Sequence, residues 1–208
     1  MANNAANVSV GKPKIGGAVY NAPAGSELPT DALTPLSDAY TCLGYVSDDG
    51  VTNSNGGNSE NVLAWGGDIA LSFQADKEDT WKFALIESLN VDVLKAVYGS
   101  DNVTGSFSEG LVVRANNEPL EASIWVIETM LTGNISKRVV IPNAVLTGLE
   151  DITYKDNEAI KYGVTLTAYS GGEAFDYDTH KEYFGESEAS DTYEENVVTG
   201  ATGATGET

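Results

Sequence analysis

Between Asp68 and Asp76 the apolar residues Ile69, Leu71, Phe73 and Ala75 alternate with Ala70, Ser72 and Gln74. That period of two is the signature of a half-buried β-strand. Residues 80–87 continue the alternation, with Trp81, Phe83 and Leu85 on one face and Lys82 and Ala84 on the other. The short charged link Asp76-Lys77-Glu78-Asp79 between the two runs predicts an antiparallel hairpin. Residues 160–169 set Tyr162, Val164, Leu166 and Ala168 against Gly163, Thr165, Thr167 and Tyr169, which predicts another strand. Further strands are predicted at 15–21, 42–47, 111–115, 123–131, 137–146 and 150–154. Pro142 lacks the N–H that a ladder needs, so its place inside a strand implies an edge position or a bulge.

One helix interrupts this pattern. Val91, Leu94, Val97 and Tyr98 recur at helical spacing, Asn90 or Ser88 can cap the start, and Asp92 can pair with Lys95. Gly99 supplies a left-handed stop. At about two turns such a helix is held by packing its apolar stripe on a sheet.

Two regions fit neither period. Residues 47–67 form a long polar stretch, and structureless loops above about 12–15 residues are usually functional or disordered. Its Trp65 suits either a contact between subunits or the core. Its Asp48-Asp49-Gly50 reads as a turn, the acids accepting N–H bonds while glycine takes positive φ. Residues 171–208 open with Gly171-Gly172, carry five aromatics and close on a Gly-Ala-Thr repeat. The repeat is too short and too poor in proline for collagen, so it reads as a flexible tail. The aromatics predict that residues 175–184 dock on something, and residues 186–208 are expected to be mobile. The expected layout is an N-terminal arm over 1–10, a β domain over 11–172 and an acidic extension over 173–208.

Composition changes the picture in one respect. The chain has 208 residues, enough to bury a core. Its 31 acidic residues against 11 basic ones give a formal charge of −20, of which residues 171–208 carry −9. Such a surface repels polyanions. The first eight residues lack the basic region and apolar run of a signal peptide, and no stretch reaches the roughly 20 apolar residues of a membrane span. Cys42 is the only cysteine, which excludes an internal disulfide and predicts a small buried packing residue in a chain folded in a reducing compartment.

The chain offers little chemistry. His180 is the only histidine, lies far in sequence from Cys42, and reads as a solvated surface residue. No phosphate-binding glycine loop, nucleophile elbow or zinc-binding helix is present. Asp176-Tyr177-Asp178 begins like a calcium loop but lacks its glycine and its final acid. Paired carboxylates of a glycosidase cannot be chosen among 31 acids by sequence. The expectation is a structural protein with no catalytic residue, cofactor or metal. The alternative is an acidic β-sandwich that binds carbohydrate or acts as an adhesin.

Several segments together carry a family likeness: Gly11-Lys-Pro-Lys-Ile-Gly-Gly-Ala-Val-Tyr20, Leu43-Gly-Tyr-Val-Ser-Asp-Asp-Gly-Val-Thr52, Ala64-Trp-Gly-Gly-Asp68, Ile86 to Gly99, Lys137-Arg-Val-Val-Ile-Pro142 and Asp151-Ile-Thr-Tyr-Lys-Asp156. In that order they resemble the major tail protein, the tail tube subunit, of long non-contractile-tailed bacteriophages (siphophages). The resemblance implies a mainly β, β-sandwich or barrel-like tail-tube fold with one short flanking helix, a long inter-strand loop and an extended C-terminal tail. It implies a virion protein assembled in the host cytoplasm, whose homohexameric rings stack into a helical tube. Its partners would be further copies of itself and the tape-measure and tail-terminator proteins. Genome DNA would pass through on ejection without specific binding, and no membrane insertion is implied. The loop 47–67 lies where such proteins reach the neighbouring ring, so Asp48, Asp49, Asn53, Asn55, Glu60 and Trp65 are the expected inter-ring contacts.

Overall fold

The structure is a computed structural model describing residues 3–187, the side chains of 58 and 74–76 excepted. The predicted Gly-Ala-Thr tail lies outside the described residues, as do the first two residues of the predicted N-terminal arm. The chain runs β1 (Lys12–Pro13), β2 (Val19–Pro23), β3 (Thr41–Cys42), β4 (Val46–Ser54), β5 (Gly57–Leu63), β6 (Ile69–Lys77) and β7 (Asp79–Leu85). The helix α1 (Val91–Tyr98) follows, then β8 (Val103–Ser106), β9 (Gly110–Val113), β10 (Ser123–Leu131), β11 (Ile135–Leu149), β12 (Tyr162–Ala168) and β13 (Lys181–Glu186). The protein is mainly β with one flanking α-helix, as the alternation predicted.

Nine strands make one sheet in the order β3-β2-β10-β11-β12-β7-β4, with β1 added to β10 and β13 to β11. Strands β10 and β11 are buried on both faces. Trp125, Ile127, Val139 and Ile141 enter the larger core, whereas Ile124, Val126 and Val140 enter a smaller one with Ala22, Tyr40 and Phe175. The Phe83 ring on β7 and the Trp125 ring on β10 lie 5.9 Å apart. Two strands intervene, which in a flat sheet would separate the backbones by about 14 Å. The sheet therefore curls around this core. Helix α1 closes it with Val93, Leu94 and Val97. Its Asn90 side chain accepts from the Asp92 N–H at 3.0 Å and Gly99 ends it at φ 91°.

Pro142 sits at a bulge. One side of β11 pairs with β13 up to Val140 and with β12 from Ala144, and its register with β10 shifts between these points. The proline falls where the partner changes, so its missing N–H disrupts no ladder.

Three local expectations fail. The strands 69–77 and 79–85 do not pair with each other: β6 pairs with β5, while β7 pairs with β4 and β12. The long polar loop is mostly strand, β4 and β5 covering 46–54 and 57–63. Its Asp48-Asp49-Gly50 lies within β4 at a register shift, not at a chain reversal. Residues 150–154 form no strand, and the chain stays irregular to β12. From the acidic extension, residues 181–186 join the main sheet as β13.

Candidate functional site

Strands β5 and β6 form a separate two-stranded ribbon whose root is continuous with β4 and β7. Its tip, 64–68, is closed by the Gly67 N–H to the Ala64 carbonyl and the Ala64 N–H to the Asp68 carbonyl. Gly66 and Gly67 both take positive φ, 125° and 96°, which this turn requires of glycine. Directly opposed residues of a ladder point to the same side. Val62 opposes Leu71 and Glu60 opposes Phe73, so Val62, Leu71 and Phe73 share one side, while Leu63 opposes Ile69 beyond a register shift that leaves Ala70 as the extra residue of β6. The ribbon thus carries an apolar face of Val62, Leu71 and Phe73, with the Leu63–Ile69 pair between it and the tip.

The ribbon leaves these side chains open. Its five apolar side chains are 44–62% exposed, and Trp65 at the tip is fully exposed at 106%. A lone hairpin is at best marginally stable in water, and a bare apolar strand edge invites pairing with another chain. Remaining burial of about half of five side chains would contribute roughly 5 kcal/mol. In this ribbon, or arm, that area stays exposed.

The root of the arm is well held. Asp79, only 2% exposed, accepts from Asn53 Nδ2 at 2.8 Å and Thr179 Oγ1 at 2.7 Å, and pairs with His180 Nδ1 at 2.5 Å. Burial raises the Asp79 carboxyl, but these three partners outweigh it and hold the group below the usual carboxylate range. His180 is not the solvated residue expected from sequence: its side chain is 13% exposed and its ring stands edge-on to Trp81, with centroids 5.1 Å apart.

The sequence-predicted contact residues separate. Glu60 lies on the arm's apolar face, Trp65 at its tip and Asn55 at the β4–β5 junction. Asn53 is engaged with Asp79. Asp48 and Asp49 lie in the body of β4, with Asp49 accepting from the Ser47 hydroxyl at 3.3 Å. Sequence reasoning missed the exposure of Val62, Leu63, Ile69, Leu71 and Phe73; the alternation of Ile69, Leu71 and Phe73 was visible, but it reads identically whether or not the rest of the chain covers it. Cys42 is half-buried, its sulfur accepting from the Gly44 N–H at 3.4 Å, and His180 contacts Asp79 and Trp81 instead. Among the described residues no three His, Cys, Asp or Glu side chains converge as metal ligands, and no helix is long and apolar enough to cross a membrane.

A β-rich body carrying an exposed apolar ribbon, with no metal cluster among the described residues, fits a structural class of protein. The family comparison agrees: residues 1–193 match the model of the phage tail tube protein family, and the chain belongs to that family. No curated protein matches. Among solved structures, the cap that terminates the tube of the anti-feeding prophage is similar over 89% of this chain and 100% of its own, at 11% identity and a TM-score of 0.39.

Proposed function

We propose that this chain builds the tail tube of a long, non-contractile phage tail, its copies closing into hexameric rings that stack into a conduit for genome DNA. The bare apolar face of the β5–β6 arm is the observation that carries this reading. A surface of this kind is unfavourable in water and marks an interaction site, which a second copy would cover in the tube. Tape-measure and tail-terminator proteins would set the tube's length, and the tube would assemble in the host cytoplasm. Glu60, Trp65 and the apolar face are the proposed contacts between rings, with Asn55 beside them and Asp48 and Asp49 at the exposed bulge of β4.

Magnitudes shape the mechanism. The roughly 5 kcal/mol of one arm's apolar side chains falls at the low end of the 4–15 kcal/mol that immobilising a free protein costs. One arm gripping one neighbour is therefore weak. Rings engaging several arms at once avoid this, because each contact after the first is intramolecular. DNA passes without adhesion because few cations are available to replace its counterions. Electron microscopy of the purified protein tests the reading: hexameric rings or tubes are expected. A monomer persisting over a wide concentration range would overturn it in favour of the carbohydrate-binding or adhesin module.

A further inference from the structure

We propose that Asp79 is the positioning residue of the arm, a buried carboxylate through which the C-terminal segment clamps the arm's root and fixes its direction. The inference rests on the reading of the arm as the assembly contact.

The ladder between β4 and β7 ends at Ser54 opposite Thr80, and the arm's ladder starts at Gly57 opposite Lys77. Asn55 and Gly56 join the strands on one side and Glu78 alone on the other. A two-stranded ribbon has no third strand to brace it, so this unladdered junction is where the arm can pivot. Asp79 is the first residue on the body side. It takes one donor from β4, Asn53, which also donates to the Thr80 carbonyl at 3.1 Å. The other two donors, Thr179 and His180, come from the segment just before β13. That segment is itself anchored, because β13 pairs with β11 from Val140 to Ile135.

Both strands of the arm's root and the C-terminal segment therefore meet on one carboxylate. Charge-assisted hydrogen bonds to a buried carboxylate are the stronger kind, and losing one leaves charge uncompensated. His180 is the one titratable side chain among the three donors, since Asn53 and Thr179 are neutral. Its ring also packs on Trp81, next to Thr80 in β7. Residues 179–181 thus act as a strap, with a carboxylate as its buckle.

The test compares the full-length wild-type chain with His180→Ala, His180→Asn and, separately, Leu71→Ser. Hydrogen exchange is read in the unassembled protein, and tube yield is read by electron microscopy. His180→Ala should raise exchange at residues 53–57 and 77–80 by about tenfold or more, as for a lost charge-assisted bond, and lower tube yield. The amides of β10 and β11 should be unchanged. His180→Asn, whose side-chain N–H can still reach Asp79, should restore both readings. Root exchange in His180→Ala equal to wild type, or a rise spread evenly through β10 and β11, would overturn the clamp. Wild-type tube yield in Leu71→Ser would instead overturn the arm as the assembly contact, and a raised root exchange in His180→Ala would still uphold the clamp.

Discussion

Glu128 and Arg138 face each other across β10 and β11, and both are almost fully buried. The guanidinium bonds the carboxylate through Nε at 2.7 Å and through Nη2, while Nη1 donates to the carbonyls of Asp31 and Thr34 at 2.8 and 2.9 Å. The arginine thereby pins the loop before β3 onto the sheet. Truncating one partner of such a pair leaves a buried charge, so Arg138→Ala is expected to cost about 3–5 kcal/mol in denaturant unfolding. Asp79 gives a second prediction at this scale. Its folded pKa is depressed, so its contribution is complete above the ordinary carboxylate range and is lost as pH falls through the depressed value. Hydrogen exchange at the arm's root should therefore rise below about pH 4 before β10 and β11 open. Exchange that rises everywhere together would mean acid acts on the whole fold.

At the scale of elements, the arm and the sheet respond to different substitutions. Leu71→Ser removes apolar surface that is already more than half exposed, so monomer stability should change by no more than about 0.5 kcal/mol. Tube formation should nevertheless fall sharply. The contrasting substitution is Leu166→Ala, at a wholly buried β12 position, expected to cost about 2–5 kcal/mol in thermal unfolding. If Leu71→Ser destabilised the monomer as much as Leu166→Ala, the arm would be packed on its own body.

Across the whole molecule, a formal charge of −20 opposes every contact between copies. Raising ionic strength from about 0.01 to 0.15 M shortens the screening length from about 30 to 8 Å. Salt should therefore accelerate assembly, measured by light scattering, because the contact proposed for the arm is apolar and the repulsion is not. Assembly that slowed with added salt would show an ionic contact instead. The same charge predicts that the protein does not retard duplex DNA in a gel, even at low salt.

Local order and character were readable in the chain itself. The strand 123–131 has the predicted bounds, the helix begins after Asn90 and stops at Gly99, and Pro142 marks a bulge. Alternation, capping and a missing N–H act within a few residues, so sequence alone determined them. The acidity and the family likeness were equally legible. Pairing was not, because a period of two gives a strand a face without naming its partner. Thus Ile69, Leu71 and Phe73 looked like core beside 80–87, and β5, with its Gly-Asn-Ser-Glu-Asn run, showed little strand character. His180 looked solvated because its partner Asp79 lies about a hundred residues away. Tertiary structure alone decided that one apolar stripe is buried in the sheet while another stands bare on an arm, since burial depends on which surfaces meet in space.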